Sequence, residues 1–152
     1  MITQLEQDLF SNNWETSLNA ADRLAEIGSD ESINTLIKAL ASDNNFTRNA
    51  AALGIRELNS KNAFYALYNR ILELGPNEEI GTLLYGLETS EDASFLIELV
   101  EFFFLGNYEV KHSIKTIFDK QIDNLSLINT KLVAEKLATH KMTINDFRKL
   151  QY

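Results

Sequence analysis

Two histidines, a serine beside the first of them and two adjacent carboxylate pairs are the side chains with the plainest chemical potential in this 152-residue sequence. His112 and His140 stand 28 residues apart, cysteine is absent and no HExxH spacing occurs, so the residues predict no metal site. Ser113 directly follows His112. Neighbouring side chains on a helix diverge by about 100°, so the two do not form a nucleophile–base couple. His112 reads instead as a surface or half-buried helix residue. Glu78-Glu79 and Glu91-Asp92 each fall at an expected helix start, where negative charge complements the helix dipole. That accounts for both pairs without acid–base chemistry. No GxxxxGK run cradles a phosphate. The sequence predicts no catalytic residue, no cofactor and no enzymatic activity.

The elements that would position a binding surface are clearer, because the sequence repeats. Trp14 to Gly28 aligns with Asn45 to Asn59 at an offset of 31, placing Ala20 on Ala51, Ala21 on Ala52, Leu24 on Ile55 and Ile27 on Leu58. A further shift of 32 brings Leu83, Leu84 and Leu87 into those columns, with Gly86 beneath Gly54. A last shift of 30 brings Ser113, Ile114 and Ile117. A second set of columns follows at the same offsets: Ile33, Phe64 and Leu96; Leu36, Leu67 and Leu99; Ile37, Tyr68 and Val100; Leu40, Ile71 and Phe103. Spacing of i, i+3, i+4 and i+7 puts each set on one helical face. The fourth unit fits through Leu125, Ile128 and Leu132 after a one-residue slip.

Punctuation supports the same division. Gly28, Gly75 and Gly106 sit at expected helix ends, Pro76 suits the first turn of the next helix, and Thr3 with Glu6 reads as a capping box. Asn13, Ser29, Asn44, Ser60, Ser90 and Asn107 read as further caps. The pattern predicts a lead helix over 3–10, helix pairs at 14–27 with 31–41, 46–58 with 62–74, 77–88 with 92–104 and 108–120 with 126–138, and a closing helix over 143–151. No sustained period-2 alternation occurs, so no sheet is expected. The fold class is an all-α solenoid of about four helix pairs, with an N-terminal lead helix and a C-terminal capping helix, in a single domain over 1–152.

An alanine-rich first helix ending apolar-Arg/Glu-Leu, in units of thirty-odd residues, resembles the HEAT repeat. The run Arg48-Asn49-Ala50-Ala51-Ala52-Leu53-Gly54-Ile55-Arg56-Glu57-Leu58, followed by Ala63 and Leu67, carries the likeness best. It extends over roughly residues 14–120. The first unit departs from it in having Ser17 where the second has Arg48, and the later units replace the alanines with larger residues. The runs Ile80 to Glu88 and Phe102 to Lys111 are similar to small bacterial HEAT-like proteins found beside toxin modules. That resemblance implies an immunity protein, which binds a toxin domain and blocks it. A general HEAT-type scaffold or adaptor is the alternative, and a HEAT-like DNA-repair glycosylase or a bilin-lyase-like enzyme are remoter ones.

Charge bears on the choice. The net charge is −8, and residues 1–104 carry six basic and seventeen acidic side chains, a balance of −11, against +3 for residues 105–152. An acidic surface repels phosphate backbones, so no nucleic-acid partner is expected, and it would steer a basic protein inward. In a solenoid the second helices line the concave recognition face, which would present Asn34, Lys38, Tyr65, Asn69, Glu73, Glu98, Glu101 and Phe102. Of these, Tyr65, Asn69, Glu73, Glu98, Glu101 and Phe102 form the expected partner-binding set: aromatic anchors among carboxylates. Phe102-Phe103-Phe104 exceeds what one helical face can bury, so at least one ring should leave the main stripe. Trp14 is expected to cover the core end. The acidic amino terminus and the longest apolar run, Phe95 to Leu105 with Glu98 and Glu101 inside it, predict neither signal peptide nor membrane span. The expectation is therefore a cytoplasmic protein, monomeric when free, whose partner is a basic toxin domain.

Overall fold

A computed structural model describes residues 1–152. Ten α-helices and no strand make up the regular structure: α1 (Ile2–Leu9), α2 (Trp14–Ile27), α3 (Asp30–Ala39), α4 (Asn45–Arg56), α5 (Lys61–Leu74), α6 (Gly81–Leu87), α7 (Leu96–Leu105), α8 (Tyr108–Gln121), α9 (Leu127–Ala138) and α10 (Ile144–Arg148). Short 3₁₀ turns precede α6 at Glu78–Ile80 and α7 at Ala93–Phe95, and one follows α8 at Ile122–Asn124. The helices gather into two compact units, Met1–Leu74 with Thr82–Ser90, and Gly75–Gly81 with Glu91–Tyr152. No helix is long and apolar enough to cross a membrane.

Helix starts are fixed by side chains that accept the N–H groups a first turn leaves unpaired. The Thr16 N–H donates to Asn13 Oδ1 at 2.9 Å, Ser32 N–H to Ser29 Oγ at 3.1 Å, and Phe46 N–H to Asn44 Oδ1 at 2.9 Å. Ser60 and Asn107 cap α5 and α8 in the same way. Thr3 and Glu6 do not: α1 begins at Ile2 without a side-chain cap, which puts Thr3 inside the first turn, and Glu6 instead accepts from Lys38 Nζ at 2.5 Å. The capping box lies at the other end, where Thr143 and Asp146 exchange hydrogen bonds of 3.0 and 2.9 Å at the start of α10. The turn ahead of α7 is capped by Asp92 rather than Ser90. Gly28 and Gly75 take the left-handed conformation that ends a helix (φ 62° and 81°), whereas Gly106 is extended. Pro76 precedes Asn77, the cap of the next turn, and so lies outside the helix rather than in its first turn.

In the first unit α2 packs on α4, α1 on α2 and α3, and α3 on α4 and α5. Small residues set the spacing. A Cβ on Gly54 would lie 3.1 Å from the Ala21 carbonyl oxygen, and one on Gly86 would lie 2.6 Å from that of Ala52. The same contact thus recurs one repeat later, from α4–α2 to α6–α4. The columns read from the sequence are buried: Ala20, Ala51 and Leu83; Ala21, Ala52 and Leu84; Leu24, Ile55 and Leu87; Leu36 and Leu67; Leu40 and Ile71. Each large member contributes about 1.5–3 kcal/mol by leaving water. The column ends are looser, with Ile27 38% exposed and Leu58, Ile33, Ile37 and Tyr68 half-buried. Polar ties span the same period. Lys38 bonds Glu6, 32 residues away, while Arg56 donates to the Tyr85 carbonyl at 2.6 Å and to Glu88, also 32 residues on, at 3.3 Å.

In the second unit α7 packs on α8 and α9, and α10 on α9. Leu96, Leu99, Val100 and Phe103 meet a core that includes Ser113, Ile114, Ile117, Phe118 and Phe147. Phe147 brings its ring within 4.6 Å of Phe103 and 4.4 Å of Phe118, measured between centroids. Lys115 is buried, its ammonium donating to both Asp119 oxygens at 2.7 Å and to the Arg148 carbonyl at 3.2 Å. The expected stripe of the fourth unit fails. α9 buries Val133 and Leu137, leaving Ile128 and Leu132 exposed and Leu125 half-buried. Apolar residues lie on several sides of this helix, so periodicity could not choose the face that packs.

Candidate functional site

The expected binding residues fall on two helices, one in each unit. On α5, Tyr65, Asn69 and Glu73 recur at i, i+4 and i+8 and therefore share a face; all three are exposed, Tyr65 by 58%. The Tyr65 ring lies 6.4 Å from that of Tyr68, and Glu73 accepts from Arg70 Nη1 at 3.1 Å. Leu67 and Ile71 on the opposite side of α5 are fully buried, which fixes the outward direction of this row. On α3 in the same unit, Asn34 and Lys38 are also exposed, the latter joined to Glu6.

On α7 the structure adds partners that the sequence reading had not assigned. Glu98 pairs with Lys136 of α9 at 3.3 Å, and Glu101 meets His140 Nε2 at 3.1 Å. Both carboxylates thus serve cations or donors of their own unit as well as facing solvent. Of the phenylalanine triplet, Phe103 is buried in the stripe, while Phe102 and Phe104 flank it half-buried. Phe104 stacks on the His140 ring at 3.7 Å and 8°, so the overflow from the stripe is partly taken up by the segment after α9. His112, exposed on α8, lies 6.2 Å from Tyr108. Trp14 is 37% exposed and tilts against Phe46 at 6.1 Å, forming an aromatic pair at the starts of α2 and α4.

One group escaped the sequence reading. Asp22, Glu26 and Glu57 line a shallow cavity with Ala25 in the first unit. Partial burial, then repulsion from Glu26 and Glu57, pushes the Asp22 carboxyl above its ordinary range. The only cation bonded to the group is exposed Arg23, 3.7 Å from Glu26. A signal was present, since Glu26 and Glu57 occupy the same repeat column, 31 residues apart. Elsewhere in the unit the acids Glu6 and Glu88 are held by Lys38 and Arg56.

Compared with protein-family models and with curated proteins, the chain matches none.

Proposed function

We propose that the chain is a HEAT-like α-solenoid acting as a non-enzymatic protein-binding module. Its partner is a basic protein domain that it occludes, in the manner of an immunity protein bound to its toxin. The observation that carries this reading is the unbalanced acid of residues 1–104, a net −11, beside an exposed row of Tyr65, Asn69 and Glu73 on α5. Fixed acid raises the encounter rate with a basic partner, and an aromatic ring desolvated at the centre of the contact supplies most of the binding energy. The repeated Gly54–Ala21 and Gly86–Ala52 contacts support a regular stacking of helix pairs. Glu98 and Glu101, being joined to Lys136 and His140, and Glu73, joined to Arg70, each contribute less steering than their formal charges suggest, so Glu73→Lys acts mainly by placing a cation where a basic partner approaches.

The test uses the basic domain encoded beside this gene, or one recovered with the chain by pull-down and identified by mass spectrometry. Tyr65→Ala should speed dissociation, and Glu73→Lys should slow association. Together they should weaken binding by at least about tenfold, as expected for an anchor and a steering charge. Unchanged affinity in the double variant, or a recovered partner that is itself acidic, would remove the proposal.

A further inference from the structure

Apart from Met1, the two most exposed large apolar side chains of the molecule lie on one short helix. Leu127 is 87% exposed and Ile128 74%, with Leu132 a turn further along at 39%. Ile128, Lys131, Leu132 and Glu135 are spaced i, i+3, i+4 and i+7 and so form one face of α9, opposite the buried Val133 and Leu137. Lys131 and Glu135 are exposed, and neither makes an ion pair within its own chain. The neighbouring Lys136 points to Glu98 and lies off this face.

We infer that this face of α9 docks against the same face of a second copy of the chain, the two helices running antiparallel about a two-fold axis level with Val133. Three observations favour a second copy over another occupant. First, the face is self-complementary in charge. Lys131 lies two residues before Val133 and Glu135 two after it, so inverting one helix sets each Lys131 against the partner's Glu135, twice. A parallel alignment would set like against like. Second, the apolar pattern fits the same inversion. The Leu132 side chains meet near the axis, and Ile128 falls opposite the small Ala138, which permits close approach. Third, the surrounding charge allows it. Residues 105–152 carry +3, whereas self-docking through residues 1–104 would oppose two balances of −11.

A contact through one helix face falls short of the ~800 Å² per partner of a standard interface. Association is therefore weak, and the dimer is populated only at high protein concentration. The sequence-based expectation of a free monomer holds in this picture at low concentration and gives way at high concentration. The inference is independent of the proposed function, since it uses no residue of α5 or α7.

Sedimentation equilibrium on the full chain, from about 5 μM to about 1 mM, should show a reversible monomer–dimer equilibrium. Lys131→Glu and Glu135→Lys should each weaken it by roughly tenfold or more, because each variant sets like charges together twice. Mixing K131E with E135K should restore dimer as a mixed species, since one chain then offers two acids and the other two bases. All these positions are exposed, and circular dichroism of each variant should match the unmodified chain. Leu132→Ser, which removes apolar contact without altering charge, should also dissociate the dimer. A chain that stays monomeric throughout the range would overturn the inference. So would a dimer indifferent to K131E and E135K, or single variants that weaken but show no recovery on mixing.

Discussion

Asp22 is held where its own charge is unwelcome. Partial burial thins its hydration, Glu26 and Glu57 repel it, and its carboxyl is pushed above the ordinary range. The ionised form therefore costs free energy in the fold. That cost is complete above the raised value and vanishes once the pH falls below the ordinary 3.8, where folded and unfolded chains are both protonated. Asp22→Asn should then stabilise the protein at pH 7 by about 0.3 kcal/mol, a small figure because solvent screens so exposed a group, and by nothing near pH 3. Urea denaturation at the two pH values measures this; an equal gain at both would assign the effect to something other than charge. Acids of the second unit behave oppositely where they find partners. Arg148 holds the Asp123 carboxyl below its ordinary range, and the Thr143 N–H and hydroxyl do the same for Asp146. At this scale the sequence was legible where a side chain serves its immediate neighbours. Asn13, Ser29, Asn44, Ser60 and Asn107 cap as their positions predict. It was not legible where the partner comes from elsewhere in the fold, as with Glu6 and Lys38, Glu98 and Lys136, or Glu101 and His140.

Helix spacing in the first unit depends on residues without bulk. At Gly86 an added methyl group would fall 2.6 Å from the carbonyl oxygen of Ala52 and 3.0 Å from its carbonyl carbon. Both are backbone atoms and cannot swing aside. Gly86→Ala gains helix propensity of about 0.5–1 kcal/mol, and the clash must exceed that gain before it is seen. Overpacking at a site this tight costs about 1–3 kcal/mol, so a net destabilisation of roughly 1–2 kcal/mol is expected in thermal or urea unfolding. A stabilised variant would mean that α4 and α6 are not held so closely. The repeat columns made the shared place of Gly54 and Gly86 visible, and they placed nearly every helix within a few residues, because apolar spacing and capping residues agree locally. The exception is instructive. α9 carries Leu127, Ile128, Leu132, Val133, Ala134 and Leu137, and extending the earlier register selected Ile128 and Leu132. The structure buries Val133 and Leu137 instead. A helix with surplus apolar residues takes its inward face from what it packs against, here α7 and α10, and that information is not local.

Across the whole chain, acid exceeds base by eight, and the excess is concentrated before residue 105. Like charges gathered in a compact state oppose folding, and they oppose it less when salt shortens their reach to about 3 Å at 1 M, from about 10 Å at 0.1 M. Raising sodium chloride from about 0.05 M to about 0.5 M should therefore lift the melting temperature by a few degrees. A fall would show that the bridges Lys38–Glu6, Arg56–Glu88 and Arg148–Asp123 matter more than the repulsion. The two charge domains, acidic then mildly basic, were plain from composition. The clustering of helices into two compact units was not, because the repeat continues through the sequence without a linker or a change of composition to mark it.

Trp14, tilted against Phe46 at the start of α2, is the sole indole of the chain. Its emission consequently reports on one unit alone, while the flat stack of His140 on Phe104 displaces imidazole proton resonances by ring current in the other. Nature has thus equipped each half with a private optical or magnetic label, and the two can be watched melting side by side in a single untagged sample.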